Sequence, residues 1–94
     1  MTIEQIQKTV AGYYNVRVSD LLSAKRDRKI TLPRHIAMSI AKQLTSHSLP
    51  TIGDAFGGRD HTTVLHACKK VKALKLTSAS VDQDYQNILH TLNN

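Results

Sequence analysis

The sequence has little with which to staple itself together or to stack against exposed bases. Its single cysteine, Cys68, cannot close an internal disulfide, which fits a reducing compartment. Tryptophan is absent, and three tyrosines and one phenylalanine make few aromatic platforms of the kind that single-stranded nucleic-acid binders need. Two prolines and four glycines in 94 residues exclude a collagen-like or linker-like chain. With 40% apolar residues, they indicate one small folded helical domain rather than a disordered segment. No run of eighteen apolar residues occurs, and no charged segment leads into an apolar one as in a secretory leader, so a soluble cytoplasmic chain is expected. The pattern GxxxxGK(S/T) is also missing, which removes a phosphate-cradling P-loop.

Acidic residues are scarce as well. Seven Asp and Glu stand against thirteen Lys and Arg, giving a formal charge of +6 and a pI near 9.8. This excess points to a polyanion, with nucleic acid first and an anionic membrane second. The cations are clustered: Lys25, Arg26, Arg28, Lys29 and Arg34 fall within one short stretch, and Lys69, Lys70, Lys72 and Lys75 within another. A solvated surface with no partner would interleave its signs more evenly.

What is present reads as all-α, with about six helices and no segment of period two. Thr2 and Gln5 form a capping box ahead of Ile3, Ile6 and Val10, and Gly12 with the following "YYNVRV" ends that helix near Tyr14. A short second helix starts at Ser19. The stretch "SAKRDRKITLP", about residues 23–33, shows no apolar period and is expected to be a basic loop, with Thr31 and Pro33 opening the third helix. Ile36, Ala37, Ile40, Ala41 and Leu44 then line one face. Ser48 caps a fourth helix with Pro50 in its first turn, stopping at Gly57 and Gly58. Asp60 caps a fifth, and Ser80 with Gln83 forms a second capping box for the last.

Two helices joined by a short glycine-containing turn, about residues 48–76 here, are the pattern of a helix-turn-helix, whose second helix enters the DNA major groove N-terminus first. The second helix begins oddly, with "RDHTTV", rich in β-branched residues that a helix built only to fold would avoid. Its inward stripe centres on Val64 and Val71. Thr62, His66 and Lys69 lie opposite, Thr63 and Lys70 flank them, and Asp60 and His61 stand at the tip. These side chains complement base edges: Asp accepts from cytosine, Thr bonds an edge or touches a thymine methyl, His reaches a purine acceptor. Plainer readings stand beside this one. Asp60 can be a cap with no other duty, Thr62, Thr63 and His66 can be ordinary surface residues, and Leu65 can edge the core. The loop arginines Arg26 and Arg28 can enter an adjacent minor groove or simply hold phosphates. An enzyme is disfavoured, because Asp60 and His61 point about 100° apart on a helix and His61 and His66 lack the i, i+4 spacing of a helical zinc site.

"IGDAFGGRDHTTVLHA" resembles the signature of the C-terminal DNA-binding domain of the bacterial replication initiator DnaA. "TLPRHIAMSIAKQLTSHSLPTIG" is similar to the helix that precedes it, and "TIEQIQKTVAGYYNVRVSDLLS" to the two opening helices, so the resemblance spans essentially the whole chain, residues 1–94. It implies double-stranded DNA as partner, in the form of short asymmetric DnaA boxes resembling TTATNCACA at the replication origin. By position it implies Arg26 in the minor groove, Asp60, His61 and Thr62 on base edges, and Leu49 or Pro50 on thymine methyls. Arg34, His35, Lys42, Thr63 and His66 would hold phosphates, joined by Arg28 of the loop and Lys69 of the outward face, with Arg59 divided between structure and backbone contact. His35 stands where relatives usually carry Gln, Asp27 interrupts the basic loop, and Leu32 replaces a more common Arg or Tyr. The family binds ATP through a domain this chain does not carry, so no cofactor is expected here. Its self-association domain is missing too, which implies a monomer. Acidic phospholipids are the second anionic partner that the resemblance brings in.

Overall fold

A computed structural model describes residues 1–94 as six α-helices without a strand: α1 (Ile3–Tyr14), α2 (Val18–Leu22), α3 (Arg28–Leu44), α4 (Leu49–Ala55), α5 (His61–Thr77) and α6 (Ala79–Asn93). No helix is long and apolar enough to cross a membrane. Local chemistry sets most of the boundaries. The Gln5 N–H donates to Thr2 Oγ1 at 3.1 Å and the Thr2 N–H to Gln5 Oε1 at 2.8 Å, closing the capping box of α1. That helix runs through Gly12 and ends on Asn15, whose left-handed φ of 57° turns its N–H back onto the carbonyls of Ala11 and Gly12. Ser48 caps α4 and Asp60 caps α5, both as expected from the sequence.

Beyond α2 starting at Val18 instead of Ser19 and α4 ending at Ala55 ahead of the glycines, two boundaries differ from the sequence reading. The third helix starts at Arg28, not at Thr31 or Pro33, because the Asp27 carboxylate accepts from the Lys29 N–H at 3.3 Å and the Asp27 carbonyl takes the N–H groups of Ile30 and Thr31. The basic loop is therefore confined to Ser23–Asp27, and Arg28 and Lys29 belong to the first turn of α3. Pro33 lies inside the helix, where its missing N–H removes one rung, yet it is buried and packs. Asp27, which looked like an interruption of the basic run, is a cap. The last helix begins earlier than expected: Ser78, not Ser80, caps α6 by accepting from the Val81 N–H at 3.3 Å, while its own N–H closes α5 on Leu74 O. Gln83 closes no box there and donates instead to Asn87 at 2.9 Å.

The third helix is the hub, packed against α1, α2, α4 and α5, with Ile36, Ala37, Met38, Ile40 and Ala41 wholly inaccessible. Around them close Ile6 and Val10 of α1, Leu21 of α2, Ile52 of α4, Val64 and Val71 of α5, Ile88 of α6, and Phe56 after α4. Each fully buried side chain of this size contributes about 1.5–3 kcal/mol. Polar bonds finish the closure. Gln7, buried on α1, donates to Ala55 O at 2.8 Å, so the end of α4 is tied to the first helix.

If Asp27 is the cap of α3, Asp27→Ala lowers stability by about 1 kcal/mol and Asp27→Asn by only a few tenths. Thermal denaturation decides: in a domain of this size the Ala variant melts roughly 4–8 °C lower. Equal melting of the two variants would place the effective start of α3 further along.

Candidate nucleic-acid interface

The helix pair α4–α5 is built around glycines that admit backbone where other residues would collide. A Cβ on Gly53 would sit 2.0 Å from Arg59 O, so the turn can fold back onto α4 only because that atom is missing. Gly57 has φ +78°, and a Cβ there would lie 2.2 Å from Leu22 O. The turn between the two helices thus presses backbone to backbone against the end of α2, where the basic loop begins. The sequence suggested a turn at this glycine, but not the loop pressed against it.

The tip of α5 is organised by one carboxylate oxygen. Asp60 Oδ1 accepts the Thr63 N–H at 2.9 Å and the Thr63 hydroxyl at 3.0 Å, and these bonds hold the Asp60 carboxyl below the usual carboxylate range. Oδ2 takes neither of these bonds, and with only the Thr62 N–H as a further, weaker neighbour of the carboxyl it can accept from a ligand. From the tip, His61, Thr62, His66 and Lys69 follow in exposed positions while Val64, Ala67 and Val71 face inward. Leu65 is 38% exposed and belongs with this outer face more than with the core edge. Thr63 is exposed, but its hydroxyl proton is spent on Asp60, so it donates to a phosphate only after that bond is released. On α4, Pro50 is exposed and Leu49 is half-buried against the core.

Beside this tip lies the loop Ser23–Asp27, held by a set of bonds that sequence reasoning missed. Arg34, expected on a phosphate, is 5% exposed and clamps the loop from beneath. Its Nε donates to Leu21 O at 2.9 Å, and its Nη2 lies 2.9–3.2 Å from the carbonyls of Asp20, Ser23 and Lys25. A guanidinium already surrounded by four carbonyls is a structural fork, and the phosphate role is withdrawn for it. Arg59 is half-buried and donates to Phe56 O and Ser23 O, which settles its structural share. Lys25 pairs with Asp20 at 2.8 Å and is bound within the protein. Arg26, Arg28 and Lys29 remain exposed without an acidic partner, as does Lys42 at the far end of α3. The only signal for the Arg34 clamp lay in the helical period itself, which places Arg34 one turn before the buried Met38.

The electrostatics follow from scarce acid. The ion pairs are Lys8–Glu4 on α1 and Lys25–Asp20 in the loop, which leaves the cations around α5 uncompensated. His35 is half-buried among Lys70, Arg34 and Arg59, and its pKa is lowered from 6.5 by burial first and by those three charges next. It is therefore a mainly neutral donor near pH 7. No three His, Cys, Asp or Glu side chains converge as a metal site would require, and burial pushes the Cys68 thiol up, away from the reactive thiolate.

Two outcomes test this account of the site. Arg34→Lys keeps the charge but cannot fork across four carbonyls, and urea denaturation is expected to show a loss of about 2 kcal/mol or more. Unchanged stability would return Arg34 to the surface. His35 gives a pH signature: its cation is disfavoured in the folded state, so stability is full above pH 6.5 and falls as pH drops through the range between that value and the lowered one. His35→Gln should flatten that part of the stability–pH curve, whereas identical curves would mean that His35 is not desolvated.

Compared with known families, the chain matches the model described as bacterial dnaA protein helix-turn-helix over residues 3–71.

Proposed function

The chain belongs to the bacterial DnaA helix-turn-helix family, so it is a helix-turn-helix DNA-binding domain of a replication initiator, and we propose that it reads DnaA-box-like duplex sites at the replication origin. The observation that carries this reading is the tip of α5. Asp60 caps its helix with one oxygen and presents the other, beside exposed His61 and Thr62, at the end of a helix-turn-helix surrounded by unpaired cations.

In this reading α5 enters the major groove, with Asp60, His61 and Thr62 on base edges and Pro50 and the exposed part of Leu49 against thymine methyls. Arg26 enters the neighbouring minor groove from a loop whose two sides are already fixed. Arg28, Lys42, His66 and Lys69 hold phosphates, His35 donates as a neutral group, and Thr63 joins them once its hydroxyl turns. The contacts to phosphate supply most of the affinity and the salt dependence, while the tip and Arg26 supply the discrimination.

Duplex DNA is favoured over single strands because stacking platforms are few. Phe56 is inaccessible, Tyr85 is 2% exposed, Tyr14 donates to Asp84, and Tyr13, 40% exposed on α1, is the one accessible ring. Acidic phospholipid is the weaker anionic partner, since α1 carries one cation, Lys8, and that is paired with Glu4. In this reading the domain binds DNA and is not itself catalytic.

The deciding experiment is fluorescence anisotropy on a duplex carrying TTATCCACA against a scrambled duplex, at low and moderate salt. Binding to the box should survive salt that releases the scrambled duplex. Equal loss on both would reduce the activity to charge alone. Asp60→Asn refines the test: the Asn carbonyl takes over the cap, leaving only an amide donor facing the cytosine amino donor. Melting is then nearly unchanged while affinity for the box falls about 10- to 100-fold. Undiminished affinity would make Asp60 a cap and nothing more.

A further inference from the structure

We propose that Arg59 is a positioning residue that locks the Arg26 loop to the tip of α5, so that the two DNA-reading elements are presented as one preformed unit. This rests on the reading of Arg26 and of the α5 tip as DNA contacts. Arg59 is the residue immediately before Asp60, and its main chain is fixed by donation of its N–H to Gly53 O at 2.9 Å. Its side chain then reaches in two directions: one terminal nitrogen donates to Phe56 O within its own turn, and the other crosses to Ser23 O at the start of the loop.

Ser23 O is also an acceptor for Arg34 Nη2 at 2.9 Å, so two guanidiniums meet on one carbonyl. No carboxylate joins them, because Asp20 is turned to Lys25 and the Arg17 N–H. Placing like charges together is unfavourable, and the pKa of Arg34 is lowered by burial first and by the neighbouring Arg59 next. The arrangement persists because the two forks together supply the donors for the carbonyls of Leu21, Ser23, Lys25 and Phe56, while Asp20 O is bonded by the Ser23 N–H and hydroxyl as well. Leu22 O, one residue earlier, is the atom against which Gly57 packs, so turn and loop meet at two successive carbonyls.

The consequence for Arg26 is steric and entropic. It is exposed and free of protein partners, but Lys25 O on one side is held by Arg34 and Asp27 on the other side is the cap of α3. Arg26 is therefore a mobile side chain on a fixed main chain, placed three residues from a carbonyl that is tied to the residue before Asp60. Binding then requires ordering of one side chain instead of a whole loop.

The test combines Arg59→Lys, which keeps the charge and loses the fork, with Arg26→Ala, and reads box affinity by anisotropy and loop order by amide hydrogen exchange. Arg59→Lys should weaken box binding about tenfold alone but add nothing in the Arg26→Ala background. In the absence of DNA it should speed exchange at Ser23 and Lys25, the loop amides whose N–H groups are hydrogen-bonded, to Asp20 O and Ser23 Oγ. Independent, multiplying losses would mean that Arg59 acts on DNA directly and would overturn the proposal, as would unchanged loop exchange. Arg59→Gln, which removes the charge and keeps a donor for Ser23 O, serves if the Lys variant does not fold: its salt slope should match that of the parent. A slope lower by about one would assign Arg59 to a phosphate and overturn the proposal. If the parent protein fails to prefer the box at all, the DNA reading falls, while the exchange result still decides whether Arg59 orders the loop.

Discussion

The arrangement at Ser23 O is the constraint on which the rest depends. A small helical domain has one core, and here it is spent on holding α3 against α1, α4 and α5. The short α2 brings only Leu21 fully into that core, so the loop that follows has little apolar surface to fasten it. Its order comes from buried guanidinium chemistry instead. Arg34 gathers the carbonyls of Asp20, Leu21, Ser23 and Lys25 from below, and Arg59 takes Ser23 O from the side. Arginine suits this use because it stays charged, spreads that charge over a plane and carries five donors in fixed directions. A buried lysine would leave carbonyls unpaired.

The far side of the domain is fastened differently, and that difference keeps the proposed DNA face free. Helix α6 and the end of α5 lie beyond the residues matched by the family model, yet they complete the core with Val81, Tyr85 and Ile88. Tyr13 and Tyr14 donate to the two oxygens of Asp84, at 2.8 and 3.0 Å, joining α1 to α6. Tyr85 donates to Gln43 at 2.7 Å and takes Lys75 over its ring at 3.9 Å from the centroid, which uses one of the α5 lysines for packing. Two of the chain's few carboxylates, Glu4 and Asp84, are therefore occupied away from the tip of α5, and none of Arg28, Lys42 and Lys69 forms an ion pair with a carboxylate.

How far the sequence reaches depends on the range of the interaction. Thr2, Ser48 and Asp60 could be read as caps because donor and acceptor lie three residues apart, ahead of a clear apolar period. The outward face of α5 was legible for the same reason, since the helical period separates it from Val64 and Val71. At α3 the same logic failed: Pro33 looked like a first-turn residue and hid a period that runs back through Ile30 to Asp27. At α6 the spacing of Ser80 and Gln83 imitates a capping box, whereas Ser78 is the serine placed where the chain leaves α5. Arg34 was misread because its partners lie nine to fourteen residues earlier, in carbonyls that no side-chain pattern announces.

The odd opening of α5 can then be accounted for by geometry. A helix tip proposed to read bases has to be rigid before it binds, yet it needs side chains that are poor at starting helices. Asp60 resolves the conflict by fastening both the amide and the hydroxyl of Thr63 to a single oxygen, so a β-branched residue strengthens the first turn instead of fraying it. That leaves Oδ2, His61 and Thr62 unspent at the tip. Gly53 lets Arg59 O fold back toward α4, and the Arg59 fork carries the position of that tip across to the loop of Arg26. Side chains that would be liabilities in an isolated helix become the exposed end of a continuous chain of backbone and guanidinium contacts. The cost in helix propensity, a few tenths of a kcal/mol for each β-branched residue, is small beside the order that this chain of contacts imposes.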